Sequence, residues 1–147
     1  MPFDFLMQTI VAGIMASYVL ITMAMWNYRL GLPRLDFAMA MADLVYGPSF
    51  EGKEPPYWAG MLIVYFNGVF FTFLYATFAA QYLPGIPLVK GAIWGATLWF
   101  VSGVFFVPLY SREGFFLSKI HPMAWLANLI AHGCFGMMVG WLSPIAN

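Results

Sequence analysis

The residues best suited to chemistry in this chain of 147 residues cluster in its last apolar segment. His121, Trp125, Asn128 and His132 recur there at intervals of three or four residues, which places them on one face of a helix. A neutral imidazole nitrogen can ligate a haem iron, a chlorophyll-type magnesium or a copper ion. The candidate cofactor-binding residues are therefore His132, Asn128 and Trp125, and the candidate ligands are a haem, a chlorophyll-type pigment or a quinone.

The two histidines cannot serve one metal ion together. A helix rises about 1.5 Å per residue, so His121 and His132 lie roughly 16 Å apart along its axis. His132 can instead hydrogen-bond inside the protein, to Asn128, to Asn67 of an earlier apolar segment or to a threonine. The sequence leaves both roles open.

Other kinds of reactive group are scarce. No Asp, Glu, Lys or Arg occurs in 5–28, 55–89, 91–111 or 120–147, whereas ion-coupled transporters and proton pumps generally need such groups inside the membrane. The sequence also contains no Cys/His metal cluster and no glycine-rich phosphate loop. We therefore expect no catalytic residues, no metal site and no enzymatic activity from this chain by itself.

Composition points to the membrane. Hydrophobic residues make up 63% of the chain and charged residues 8%, against about 25% charged residues in ordinary soluble domains. Six basic residues balance six acidic ones, so the net charge gives no attraction for nucleic acid. These values exclude a soluble enzyme and a nucleic-acid-binding protein, and they predict lipids and other integral membrane subunits as partners.

The charge-free stretches define the fold class. Each is long enough for the roughly 20 residues that a membrane-spanning helix needs. The prediction is an all-α polytopic membrane protein, a four-transmembrane-helix bundle that forms one domain over 1–147. Its spans are expected at 6–28 (TM1), 58–83 (TM2), 89–110 (TM3) and 122–143 (TM4).

A short amphipathic helix is expected between TM1 and TM2, at 34–46. Leu35, Ala38, Met39, Ala42 and Val45 recur there at helical spacing. Pro33 suits a first helical turn, and Gly47-Pro48 is a stop signal. We predict that this helix lies at the membrane interface; a cap packed on the bundle is the alternative that the sequence leaves open.

Small residues within the spans predict where helices pack closely, because lipid gives no hydrophobic drive for helix association. The expected packing positions are Gly13, Ser17, Gly91, Gly95, Gly133, Gly136 and Gly140. Aromatic residues near the span ends are expected to anchor the chain at the headgroup level. They are Trp26, Tyr28, Tyr57, Trp58, Tyr82, Tyr110 and Trp141.

Basic residues set the expected orientation. The loops after TM1 and TM3 hold Arg29, Arg34, Lys53, Arg112 and Lys119, and the opposite side holds only Lys90. The positive-inside rule places those two loops in the cytoplasm. Both termini would then be periplasmic, in a bacterial inner membrane.

Several local patterns together resemble a family. Ala12-Gly13, the segment Gly31-Leu32-Pro33-Arg34-Leu35-Asp36, Gly47, the glycine-bearing TM3 and His132-x-x-Phe135-Gly136-x-x-x-Gly140 are similar to those of small four-helix bacterial integral membrane proteins of unknown function. The resemblance covers most of the chain. It implies a compact four-span bundle, a surface helix at the Leu-Pro-x-Leu-Asp segment and His132 as a recurring feature of TM4.

Three hypotheses for function follow. The first is a non-catalytic accessory subunit of a larger membrane complex, in respiratory or photosynthetic electron transfer, with Phe115, Phe116 and Leu117 as an exposed partner contact. The second is a cofactor-holding protein that uses His132 as a ligand. The third is a small channel or carrier that forms homo-oligomers through its glycine faces.

Overall fold

The computed structural model describes residues 3–47, 53–111 and 113–145, and within them every regular element is helical. Helix α1 covers Phe3–Trp26 and continues as a 3-10 turn, Asn27–Leu30. Helix α2 covers Phe37–Tyr46. Helix α3 covers Tyr57–Leu74 and continues as a π-helical segment, Tyr75–Ala79. Helix α4 covers Pro87–Val101 and continues as a second π-helical segment, Ser102–Ser111. A 3-10 turn, Phe115–Leu117, precedes the last helix, α5, at Ala124–Leu142.

Four of these helices are long and apolar enough to cross a membrane. They are Phe3–Leu30, Tyr57–Ala79, Pro87–Leu109 and Ala124–Leu142, with mean hydropathies of 1.8, 1.7, 1.7 and 1.3. This confirms the predicted class of an all-helical, four-span bundle. The last span begins at Ala124 and not at 122, because His121 and Pro122 belong to the preceding turn.

The spans lie in the order α3, α1, α5, α4. Helix α5 packs most extensively on α4 and also on α1, and α1 packs on α3. Helices α3 and α4 follow each other in the chain but have few close backbone contacts within the described residues. The row therefore curves, and its two end helices face each other across a gap.

Glycine contacts hold α4 against α5. A Cβ atom on Gly136 would collide with the main-chain oxygen of Gly91, and Gly95 and Gly140 are equally confined by the facing helix. The two backbones therefore approach as closely as small residues permit. The Cα of Gly133 also lies at this contact, 3.2 Å from where a Cβ atom on Gly95 would be, but a Cβ atom on Gly133 itself would meet nothing within 4 Å. Its missing side chain would have pointed into open space.

A second close approach joins α1 to α3. A Cβ atom on Gly13 would lie 2.6 Å from the Cα of Val69. Gly68 faces the hydroxyl of Ser17, and that hydroxyl donates to the main-chain oxygen of Gly13 at 2.8 Å. Gly13 and Ser17 thus pack between two spans, where the sequence had placed them.

Helix α2 begins three residues later than predicted. Asp36 is its N-cap, and the Asp36 carboxylate accepts a hydrogen bond from the main-chain N–H of Met39 at 2.9 Å. Pro33 therefore lies before the helix and not in its first turn. The first N–H groups of a helix have no partner within the helix, and the Asp36 carboxylate accepts from one of them. This hydrogen bond explains why α2 begins directly after Asp36.

Helix α2 packs on the bundle. Ala38 and Ala42 are completely buried, and Gly60 of α3 lets the Ala38 carbonyl come close enough that a Cβ atom would collide with it. Val45, assigned to the same apolar face, is instead 60% exposed. These contacts show that α2 packs on the bundle; its position at the membrane interface stays a prediction.

The loop before α5 differs from the predicted partner contact. Leu117 is buried in the core, and the Phe116 ring lies 4.7 Å from the Trp99 ring and fills the space beside Gly103. Both residues have positive φ angles, 52° and 63°, which turn their side chains toward the bundle. Only Phe115 remains largely exposed, at 63%.

Aromatic side chains at the ends of the spans point outward, as anchors would. Those with exposed side chains are Trp26, Tyr28, Tyr57, Trp58, Tyr82 and Trp141; the side chain of Tyr110 lies outside the described residues. The Arg34 guanidinium stacks 4.1 Å above the Tyr28 ring, and that of Arg29 lies 4.6 Å above the Trp26 ring. Such stacking keeps the cations beside aromatic rings at the end of α1.

Candidate functional site

The gap between α3 and α4 contains the candidate site. A tight turn joins the two helices, and the Lys90 Nζ atom of α4 donates to the main-chain oxygen of Ala80 at 2.8 Å. The rings of Tyr75 and Trp94 still touch, with centroids 6.1 Å apart. Further along, the helices separate around a half-open cavity of about 260 Å³.

The cavity is mainly apolar, with three polar residues in its wall. Phenylalanine side chains form much of the lining, and α2 closes one part of it with Phe37 and Met41. The polar residues are Asn67 of α3, Ser102 of α4 and His132 of α5. An apolar pocket with a few polar groups is typical of sites that bind small molecules.

The sequence places these residues by helical spacing. On α3, Val64, Asn67, Gly68 and Phe71 form one stripe at i, i+3, i+4 and i+7. On α4, residues 98, 101, 102 and 106 form the facing stripe. Each stripe carries one polar side chain, Asn67 or Ser102, within an apolar span.

His132 is held by a hydrogen bond inside its own helix. The Nδ1 atom lies 3.0 Å from the main-chain oxygen of Asn128, one turn earlier. A carbonyl oxygen can only accept, so Nδ1 carries the hydrogen and Nε2 of the neutral ring presents its lone pair. No carboxylate lines the cavity, and an unpaired imidazolium would be costly to bury there.

The other two polar side chains have spare hydrogen-bonding capacity. Most hydroxyls of the spans bond to the carbonyl one turn earlier, as Thr72 does with Gly68 at 2.7 Å and Thr97 with Ile93 at 2.9 Å. Within the described residues, the Ser102 hydroxyl and the Asn67 amide have no such partner. Ser102 also begins the π-helical segment, a feature frequent at functional sites.

Two of the residues predicted to bind a cofactor lie elsewhere. The Asn128 side chain is buried, is not part of the cavity wall and leaves its Oδ1 atom without a partner. Trp125 is 42% exposed on another side of α5, where its main-chain oxygen accepts from Trp99 Nε1 at 3.0 Å. His121 precedes the helix, and its Nδ1 atom accepts from the N–H of Met123 at 3.0 Å. The predicted stripe therefore contributes only His132 to the cavity.

The sequence indicated the polar residues of the cavity more clearly than the apolar ones. Asn67 was identified as a polar residue in the middle of its span, whereas Phe37, Met41 and Phe106 were not singled out. The stripes on α3 and α4 were available as a signal. The sequence did not indicate that α3 and α4 stand apart, and this separation is what turns the two helix faces into one cavity.

Metal binding by a cluster of side chains has no support in the described ranges, because no three His, Cys, Asp or Glu residues come together there. Among the described residues of the wall, His132 is the only His, Cys, Asp or Glu. The chemistry that the cavity can offer is hydrogen bonding to an amphipathic molecule, with Nε2 as an acceptor and Asn67 and Ser102 as donors and acceptors.

Together, the fold and the cavity define a class: an all-helical membrane protein with an apolar cavity between two of its spans and three polar residues in the cavity wall. Comparisons with protein-family models, with curated proteins and with solved structures found no match to this chain.

Proposed function

We propose that this chain is a membrane-embedded binding protein that holds a ring-sized amphipathic molecule in the cavity between α3 and α4. The observation that carries the proposal is that His132, Asn67 and Ser102 line one apolar cavity, and that the hydrogen bond of His132 to Asn128 uses only its Nδ1 atom. Polar groups inside a bundle are costly unless they find partners. A bound molecule with a polar head supplies those partners.

The size of the cavity limits the ligand. An engineered cavity of about 150 Å³ accepts benzene, and drug-sized ligands occupy pockets of roughly 300–1,000 Å³. A volume of about 260 Å³ therefore suits one substituted ring with the beginning of a tail. A haem or chlorophyll-type macrocycle would lie largely outside it.

Native mass spectrometry tests the proposal. The protein is extracted from its own membranes in mild detergent, as wild type and as the variants Val101→Phe and Val11→Phe. Val101 lines the cavity, whereas Val11 is 53% exposed on α1 and does not. Wild type and Val11→Phe should retain a small bound molecule that Val101→Phe has lost at unchanged thermal stability. A wild-type protein that carries only phospholipid would contradict the proposal.

A second candidate function is the accessory subunit of a larger membrane complex, in respiratory or photosynthetic electron transfer. It is supported by the exposed Phe115 and Trp125 beside a second cavity of about 220 Å³ at the start of α5. Exposed aromatic residues next to a depression are common features of protein interfaces. Native electrophoresis that finds this chain alone and monomeric would count against it.

The glycine contacts bear on the hypothesis of a homo-oligomeric channel. Gly91, Gly95, Gly136 and Gly140 are engaged between α4 and α5 of the same chain. They are therefore not free to join one copy to another, and we do not propose a channel.

A further inference from the structure

The hydrogen-bond polarity of His132 specifies what a ligand must present to it. Nδ1 is occupied by the Asn128 carbonyl, so the nitrogen left for a ligand is the acceptor Nε2. A neutral organic ligand satisfies Nε2 only by donating an O–H or N–H group. A carbonyl oxygen in the same place would set two lone pairs against each other.

We propose that the cavity binds the hydroxyl-bearing form of a ring compound, a hydroquinone or a related phenol, whose O–H donates to Nε2 of His132. This inference rests on the proposed function and narrows its ligand class. The geometry favours the reduced form of a quinone pair, because the oxidised form has only acceptor oxygens. Asn67 and Ser102, in the same wall, can donate to or accept from the second ring oxygen.

The apolar part of such a ligand also has a place. The cavity is half open, and its wall includes Val101, which is 46% exposed, and Phe135, which is buried. A ring can pack against Phe135, while an alkyl or isoprenoid tail leaves past Val101. No residue of the wall carries a charge that a neutral ring compound would have to desolvate.

Equilibrium binding of a matched series tests the inference without any mutation. The probes are a short-tailed benzohydroquinone under anaerobic reducing conditions, the corresponding benzoquinone and the hydroquinone dimethyl ether. The wild-type protein in lipid nanodiscs should bind the hydroquinone about tenfold tighter, or more, than the other two, because they leave Nε2 unpaired. A quinone or dimethyl ether that binds as tightly as the hydroquinone would overturn the inference.

Two histidine variants test whether His132 causes the preference for hydroquinone. His132→Leu should abolish the preference for hydroquinone, because hydroquinone affinity falls when the Nε2 acceptor is lost, while quinone affinity stays the same or rises when the opposing lone pair is lost. His121→Leu should leave the whole series unchanged, since His121 lies outside the cavity. If His132→Leu fails to fold, Ser102→Ala provides the second variant and should weaken hydroquinone and quinone alike.

The outcomes separate this inference from the proposed function. Equal binding of all three probes, abolished by Val101→Phe, would overturn the hydroxyl requirement and leave the binding function standing. No binding of any probe, together with no bound molecule in the native protein, would overturn both. A visible absorption band that disappears in His132→Leu would identify a metal-bearing pigment and overturn the inference as well.

Discussion

The ring of Phe37 in α2 meets the imidazole of His132 in α5 edge to face, with centroids 5.8 Å apart and planes at 84°. The contact joins the short helix outside the row of spans to the polar residue of the cavity. Because Nδ1 of His132 is already bonded within α5, this contact helps fix the orientation in which Nε2 is presented. Helix α2 therefore belongs to the wall of the proposed binding site as well as to the fold.

Replacing Phe37 by leucine should weaken ligand binding as well as the fold, because the Phe37 ring both packs on His132 and lines the cavity. Edge-to-face contacts between rings contribute about 0.5–1.5 kcal/mol, so affinity for a short-tailed hydroquinone should fall roughly two- to tenfold. Equilibrium binding in nanodiscs measures it, with thermal unfolding in parallel. Phe66→Leu is the control, since Phe66 is 72% exposed on α3. Equal affinities in the two variants would show that Phe37 does not orient His132.

Two glycines of α5 should respond in opposite ways to alanine. Gly136→Ala forces a methyl group against the Gly91 carbonyl and should cost about 1–3 kcal/mol of unfolding free energy, the usual range for overpacking. Gly133→Ala meets open space and should be neutral or stabilising by up to about 1 kcal/mol, through helix propensity. Thermal unfolding followed by circular dichroism compares them. Similar destabilisation by both would contradict the packing described for α4 and α5.

The N-cap of α2 can be tested by hydrogen exchange. Asp36→Ala removes the acceptor for the Met39 N–H and should lower the local stability of α2 by about 1 kcal/mol. Amide exchange over Phe37–Tyr46 should then accelerate several-fold while the four spans stay protected. Asp43→Ala, in the last turn of the same helix, removes a charge that opposes the helix dipole and should leave exchange unchanged or slower. Faster exchange in Asp43→Ala alone would contradict this account.

The orientation in the membrane remains a prediction from charge and can be measured directly. In a Cys134→Ala background, Gln81→Cys and Lys53→Cys place single thiols on opposite sides of the predicted membrane. A membrane-impermeant maleimide should label Gln81→Cys in intact spheroplasts and Lys53→Cys only after lysis. The reverse pattern would place the termini in the cytoplasm and the α1–α3 connection outside.

Much of the architecture could be read from the chain because each span is a long stretch without charge. The start of α2 was harder, since Pro33 suits a first turn as well as it suits the residues before a helix, and the Asp36 cap decided between them. The predicted polar stripe on α5 was wrong for His121, because the helix begins after that residue. Side chains such as Leu117 and Phe116 were misplaced because backbone angles with positive φ turn them inward, and apolar composition does not report those angles.

The cavity itself depends on how the helices are arranged. Helical spacing predicts which residues share a face, but it does not state which two faces meet. Here the glycine contacts bind α4 to α5 and α1 to α3, and the connected pair α3 and α4 is left apart. The presence of Asn67 and Ser102 in the wall of one cavity follows from that arrangement.

The half-open cavity between α3 and α4 determines which ligand concentration controls occupancy of the proposed site. A molecule that enters sideways from the bilayer competes with acyl chains for the same space, so the relevant variable is its mole fraction in the lipid and not its molarity in water. At a constant total amount of ligand, diluting the membrane with extra phospholipid or detergent would lower this mole fraction and empty the site. In a cell, the filling of this protein would therefore follow the composition of the membrane around it.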